Sequence, residues 1–239
     1  GMLKRPRSAR RLVLIAAGAV VTLAVAGFAL VYFVLFPTSS PKPLSLSTSA
    51  VAVPVSSSGP LAGRWAIASG SVAGYRVREK LGFLPAEDDA VGRTSNITGE
   101  ANLKKQGQIV TVTAAAFKVA VNTLKSDQAM RDQHIRTLGL QSDLYPTATF
   151  KLTMPVALPA SALNGSVVRV AVTGVFNIHG TARTETLPVE MRLSSSSLEA
   201  AGSLTFPWSA FNMTAPSVGG FVSVEDKATM EFDLRLKAA

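Results

Sequence analysis

Residues 147–156 have the sequence TATFKLTMPV, in which polar and apolar side chains alternate from one residue to the next. Strict alternation is typical of a β-strand that has one wet face and one dry face. The same alternation recurs in residues 168–178, 186–193 and 229–237. Antiparallel pairing is the natural consequence, because strands of parallel sheets are covered on both faces and consist of continuous apolar runs.

Further strands are predicted where the alternation is less regular, around Gly74–Lys80, Asn96–Leu103, Gln108–Val121 and Leu198–Phe206, which brings the total to about eight. Such a set is predicted to close into a barrel, because closure removes exposed strand edges. A two-sheet sandwich is the alternative. The predicted fold class is therefore all-β, an eight-stranded antiparallel barrel with one short helix, preceded by a single transmembrane helix.

The short helix is predicted at residues 126–138, where the two-residue period breaks down. Ser126 is a suitable N-cap, and Gly139 is a suitable C-terminal stop. Three apolar side chains are expected to dock this helix on the barrel: Met130, Ile135 and Leu138.

The N-terminal region predicts a membrane anchor. Residues 12–36 carry no charge, and five of the 24 basic residues, but none of the 15 acidic ones, lie within residues 1–11. About 20 apolar helical residues cross the hydrocarbon core of a bilayer, and preceding basic residues stay in the cytoplasm. We expect a single-pass protein of the cell membrane with a cytoplasmic N-terminus and an extracytoplasmic C-terminal domain. A cleaved signal peptide and a buried helix are the alternatives.

Residues 37–63 are rich in serine, threonine and proline and predict an extended, solvated linker before a domain at residues 64–239. The few apolar residues of this segment leave open that it forms an irregular first part of the domain: Leu44, Leu46, Val51 and Val53.

The composition excludes several kinds of site. The chain has no cysteine, so disulfides, thiolate catalysis, thiolate zinc sites and iron–sulfur clusters are ruled out. Of its two histidines, His134 is expected on the short helix and His179 at a turn, bonded to the backbone. We predict no catalytic residue, no metal and no other cofactor. Basic residues alternate with acidic ones on the wet faces, so no nucleic-acid partner is predicted.

A barrel of about eight strands either fills with side chains or holds one small ligand. Large and flexible side chains on the dry faces favour a ligand, although an ordinary packed core is the alternative. The residues expected to line the interior and bind the ligand are Phe150, Leu152, Met154, Val170, Val172, Phe176, Ile178, Met191, Leu204, Phe206, Phe232 and Leu234.

Several segments, in their order along the chain, resemble the YceI-like domain family. The resemblance covers about Trp65 to Lys237. It is carried by residues 121–124 (VNTL), 130–135 (MRDQHI), 144–150 (LYPTATF), 172–181 (VTGVFNIHGT) and 224–230 (VEDKATM).

This resemblance implies a lipocalin-like barrel outside the cytoplasm whose interior binds an isoprenoid or a similar amphiphilic lipid. It also implies that Arg131, Asp132 and His134 fix the helix across a barrel opening. The family often has an arginine and an aspartate before the last strand, whereas residues 206–211 of this chain have the sequence FPWSAF. Any contact that those two residues make with a lipid headgroup in the family is therefore not expected here. The retained anchor is a second difference from the family.

The predicted function is a membrane-anchored protein that holds a lipid for transport, storage or sequestration. The alternative is a structural or partner-binding domain of the cell envelope with a packed barrel and no ligand. The oligomeric state is not predicted.

Overall fold

The structure, a computed structural model, describes residues 18–27, 40–46, 61–81, 87–218 and 222–239 of the chain. The chain separates into two compact units, residues 1–40 and 41–239.

In the first unit, residues 18–27 form a helix, in which the Thr22 hydroxyl donates a hydrogen bond to the carbonyl oxygen of Gly18 (2.9 Å). The other residues of the predicted span 12–36 lie outside the described part of the chain. Within the described ranges, no helix has both the length and the apolar character that crossing a membrane requires.

The second unit is built mainly from β-strands. Those of the described residues are β1 (Gly63–Ile67), β2 (Val72–Leu81), β3 (Glu87–Thr94), β4 (Ile97–Gln106), β5 (Ile109–Ala120), β6 (Thr147–Leu152), β7 (Val156–Leu158), β8 (Val168–Ile178), β9 (Thr181–Leu193), β10 (Leu198–Pro207), β11 (Ser217–Val218), β12 (Val222–Val224) and β13 (Lys227–Ala238). One α-helix, α1 (Ala129–Thr137), lies between β5 and β6, and short 3-10 turns occupy Val121–Thr123, Ala160–Asn164 and Trp208–Phe211.

Eight strands form a closed antiparallel ring in the order β1, β4, β5, β6, β8, β9, β10 and β13, and β13 pairs again with β1. The closure is made around Trp65, which pairs with Ala101 of β4 on one side and Ala238 of β13 on the other. The side chain of Trp65 is fully buried. The predicted eight-stranded barrel is therefore confirmed, and the two-sheet alternative is excluded.

The remaining strands extend the barrel at its ends. β2 pairs with β13 at residues 229–233 and with β3 along its length, whereas β1 pairs with the last residues of β13. In the same way, β5 pairs with β7 through its first residues and with β6 through its last residues. β12 continues the sheet beside β2, and β11 pairs with β12.

The predicted helix exists, but its cap and two of its three docking contacts were predicted wrongly. Its N-cap is Gln128, and the Ser126 hydroxyl instead donates to Asp132 Oδ1 (2.7 Å). Ile135 is buried as expected, whereas Met130 and Leu138 are exposed. Met130 lies five residues before Ile135, about 140° away around the helix, and Leu138 follows the helical backbone in an extended conformation.

Residues 41–46 are bound to the barrel, which differs from the prediction that the whole of 37–63 is solvated. The Arg76 guanidinium donates to the carbonyl of Pro41 (2.6 Å), and that of Arg93 donates to the carbonyl of Lys42 (2.5 Å). Leu46 is buried. For this stretch the alternative, an irregular first part of the domain, describes the structure, and residues 47–60 lie outside the described part.

Candidate ligand-binding cavity

A cavity of about 200 Å³ lies inside the barrel. Its walls come from β4, β5, β6, β8, β9, β10 and β13 of the ring together with β2 and β7, and α1 contributes Ile135. Since one water-sized group needs about 10–15 Å³ of such space, the cavity has room for roughly a dozen methylene-sized groups. Nearly all of its lining side chains are apolar.

Most of the predicted interior residues lie around this one cavity. Nine of the twelve line it: Phe150, Leu152, Val172, Phe176, Ile178, Met191, Phe206, Phe232 and Leu234. Their role in binding a ligand stays a prediction.

The other three predicted residues do not line the cavity. Met154 is 60% exposed, because β6 ends at Leu152 and the alternation of its sequence does not continue as strand geometry. Val170 and Leu204 are partly buried and pack against the core instead. The expectation that Met154 lies in the interior is therefore wrong.

An aromatic cluster forms one wall. The ring of Phe150 on β6 packs against Phe176 on β8, with 4.8 Å between ring centroids, and is stacked with Phe117 on β5 at 6.3 Å. This packing depends on Gly174 beside Phe150, because a Cβ atom at residue 174 would overlap the Phe150 ring. The register pairs Phe150 directly with both Phe117 and Phe176, which brings the three rings together.

Small side chains keep the interior open between these rings. The lining includes six alanines, which are Ala73, Ala101, Ala115, Ala148, Ala200 and Ala228. Three of them, Ala101, Ala148 and Ala228, have polar residues on both sides in the sequence, whereas Ala115 lies between two other alanines. The predicted lining emphasised large side chains and named none of the six. The cavity volume results from this mixture of large and small residues.

Helix α1 is tied to the barrel by an ion pair. The Arg131 guanidinium donates to both carboxylate oxygens of Glu79 on β2, at 3.0 and 2.9 Å, and also contacts Asp127. Asp132 accepts hydrogen bonds from the backbone and the hydroxyl of Ser126. Arg131 thus ties the helix to the barrel as expected, whereas the bonds of Asp132 stay within the segment that leads into the helix. His134 accepts a hydrogen bond from the Leu138 N–H through its carbonyl (2.7 Å).

Tyr75 places a phenol beside the cavity, and the predicted site did not include it. It lines the cavity from β2, and its hydroxyl is buried with no hydrogen-bond partner among the described residues. Burial raises the pKa of Tyr75 well above its ordinary value of 10.0. The signal was present in the sequence, because Tyr75 alternates with Ala73 and Val77 and is therefore a polar group on a dry face.

The alternation of residues 229–237 predicts Glu231 on the wet face of the last strand, but its side chain is only 2% exposed and borders the cavity. Arg93 Nη2 donates to one of its carboxylate oxygens at 2.9 Å, and Arg76 Nε lies 3.5 Å from the other. The Leu44 N–H also donates to it (3.3 Å). The wet face is covered at this point by residues 41–46, which the alternation of β13 does not reveal.

His179 bonds to a side chain, whereas a backbone partner was expected. Its Nε2 lies 2.8 Å from Gln141 Oε1, and its ring packs on Tyr145 with centroids 4.1 Å apart. His179 has a φ of 52°, which is uncommon for a non-glycine residue. No group of three or more potential metal ligands occurs within the described ranges.

Comparison with known proteins gives one family. The family model of the YceI-like domain matches residues 65–236. No curated protein matches the sequence significantly.

Three solved structures are similar to this one at low sequence identity, and one of them has a TM-score above 0.5. A polyisoprenoid binding domain from Saccharophagus degradans, implicated in plant cell wall breakdown, is 14% identical with a TM-score of 0.56, covering 74% of this chain and 99% of that one. BcnA of Burkholderia cenocepacia is 21% identical with a TM-score of 0.48, covering 68% and 95%. The YceI protein of Campylobacter jejuni is 12% identical with a TM-score of 0.46, covering 62% and 84%.

Proposed function

Because the chain belongs to the family of YceI-like domains, we propose that its barrel binds an isoprenoid or another long-chain lipid. The observation that carries this proposal is the cavity of about 200 Å³ with an almost entirely apolar lining. The structural likeness to a domain described as polyisoprenoid binding supports it.

The energetics of such a cavity favour a long apolar chain. Burial of one methylene group contributes about 0.8 kcal/mol, so a dozen groups contribute about 10 kcal/mol before the cost of association. Few polar contacts are then needed for binding. The protein would shield a chain that water does not dissolve, for transport, storage or sequestration. We propose binding and not catalysis as its activity.

The test is a titration of the delipidated full chain with a fluorescent prenyl analogue in a fixed concentration of mild detergent. Ala200 lines the cavity from β10, whereas Ser203 on the same strand is exposed. Ala200→Phe adds a ring to the cavity and should lower the affinity about tenfold or more, since it displaces two or more methylene groups of the ligand. Ser203→Phe is the matched control and should bind like the wild type.

Saturable binding that Ala200→Phe weakens and Ser203→Phe does not weaken is the expected outcome. If the wild type shows no saturable binding, the barrel is a structural or partner-binding domain of the cell envelope and the proposal is wrong.

We further propose that residues 12–36 anchor the protein in the cell membrane as a single pass, with a cytoplasmic N-terminus and an extracytoplasmic barrel. The uncharged run and the five basic residues before it support this topology. The helix of residues 18–27 also exposes Val20, Val21, Leu23 and Val25, which are apolar side chains that a bilayer would cover. The full chain should then stay in the membrane pellet through carbonate washing at undiminished mass. A chain shortened to a start near the linker would show cleavage instead.

A further inference from the structure

Of the polar side chains that border the cavity, some have hydrogen-bond partners or reach solvent, and one has neither. The hydroxyl of Thr229 lies 2.8 Å from that of Thr205, and the carboxylate of Glu231 is held by two arginines. Thr149 is exposed to solvent. The hydroxyl of Tyr75, in contrast, is buried and has no partner in the described part of the chain. A buried hydroxyl without a partner is costly, which makes this group a candidate for contact with a ligand.

Tyr75 lies beside β3, and its strand β2 is bound to α1 by an ion pair. Its ring lies across Gly92 of β3, where a side chain at residue 92 would overlap it. Glu79, four residues further along β2 and on the same face as Tyr75, is ion-paired with Arg131 of α1, the helix that contributes Ile135 to the cavity. A ligand in contact with Tyr75 would therefore have that part of its structure near α1.

The charge around Tyr75 indicates what kind of group would bind there. Arg131 of α1 lies among three carboxylates, which are those of Glu79, Asp127 and its neighbour in the helix, Asp132. Arg131 is already paired with Glu79 and Asp127. An anionic headgroup would meet net negative charge at a desolvated position, whereas a neutral oxygen would not. Because burial raises the pKa of Tyr75, its phenol stays protonated and able to donate.

We propose that the Tyr75 hydroxyl donates a hydrogen bond to an uncharged oxygen, a carbonyl or an alcohol, at the polar end of the bound lipid. The chain of the lipid then runs from α1 toward the wall of Phe150 and Phe176. The site selects neutral prenyl lipids over prenyl phosphates. This inference rests on the proposed lipid-binding function and specifies its ligand class.

The experiment compares three probes on the full chain in a fixed concentration of mild detergent: farnesylacetone, which ends in a ketone, the saturated hydrocarbon farnesane, and farnesyl monophosphate. Binding is followed by tryptophan emission, since Trp208 lines the cavity. Tyr75→Phe removes only the hydroxyl. Tyr145→Phe is the matched control, because Tyr145 packs on His179 and does not line the cavity.

Tyr75→Phe should weaken binding of the ketone about three- to tenfold, the range of one hydrogen bond, and leave binding of the hydrocarbon unchanged. Its unfolding temperature without lipid should be unchanged or higher, because the unpartnered hydroxyl is removed. Tyr145→Phe should change none of these affinities. The wild type should bind the ketone more tightly than the phosphate, after correction for partition into detergent.

Equal losses for ketone and hydrocarbon, or no loss for either, would overturn the role of the hydroxyl. Tighter binding of the phosphate would overturn the selection of neutral lipids. Both results leave lipid binding itself intact. If the wild type binds none of the three probes, the proposed function fails, and this inference fails with it.

Discussion

Replacing Phe176 with alanine measures whether the barrel is hollow beside this ring. Phe176 is 4% exposed and lines the cavity, whereas Phe211 is fully buried and does not line it. Each ring packs against one other phenylalanine at nearly the same distance, 4.8 Å for Phe176 and 4.7 Å for Phe211. The ring–ring contacts of the two residues therefore contribute similarly to the free energy of unfolding, and Phe211→Ala is a matched control.

The expected difference follows from the cavity. Phe→Ala in a closed core costs about 3–5 kcal/mol, of which part is the cavity that the missing ring leaves behind. One side of the Phe176 ring already faces open space and lacks packing partners there. We expect Phe211→Ala to lower the free energy of unfolding by about 4 kcal/mol, and Phe176→Ala to lower it by at least about 1 kcal/mol less.

The assay is denaturant unfolding of the delipidated full chain, with and without a prenyl ligand. A ligand at 100 times its Kd stabilises the folded wild type by about 2.7 kcal/mol. Phe211→Ala should keep this gain, and Phe176→Ala should lose part of it. An equal loss of stability in both variants, together with no effect of ligand on either, would refute the hollow barrel.

Three further changes test other parts of the structure. Glu231→Gln removes the buried carboxylate that pairs with Arg93 and Arg76, of which Arg76 keeps its ion pair with Asp89, and should cost about 3 kcal/mol in denaturant unfolding; a loss below 1 kcal/mol contradicts this. Burial raises the pKa of Asp233 above its ordinary 3.8, so the stability that its carboxyl provides is complete below that value and is lost as the pH rises through the raised pKa. Asp233→Asn should therefore raise the unfolding temperature at pH 7 but not at pH 3, and equal shifts at both would show another cause. Gly174→Ala should cost about 2 kcal/mol, because its methyl group overlaps Phe150; wild-type stability would mean that the ring moves away freely.

The barrel could be predicted because alternation is a local property. In β8 the buried residues all lie on one face of the strand, and in β9 they do so from Leu187 to Leu193. The two strands pair along their length as the pattern requires. The ends of strands are less determined by sequence. Met154 continues the alternation of β6 but lies beyond its last hydrogen-bonded residue, so its side chain is exposed.

The rest of the site depends on contacts between distant segments. Glu231 is buried because residues 41–46 cover it, and Leu44 of that segment lies 187 positions earlier in the chain. The sequence of β13 alone gives no indication of this contact. The volume of the cavity depends on the combined sizes of its lining side chains, six alanines and several aromatic rings, which come from many different strands. Tyr75 was detectable as a polar residue on a dry face, but its lack of a hydrogen-bond partner became visible only in the structure.

The most direct test of the proposed function is native mass spectrometry of the full chain, extracted from the membranes of its host in mild detergent. We predict one bound molecule of long-chain lipid per chain, with a fragmentation pattern that identifies a prenyl or other hydrocarbon tail. The adduct should be lost or strongly reduced in Ala200→Phe and retained in Ser203→Phe. A chain that carries no adduct in the wild type, or an adduct that Ala200→Phe leaves unchanged, would contradict binding inside the barrel.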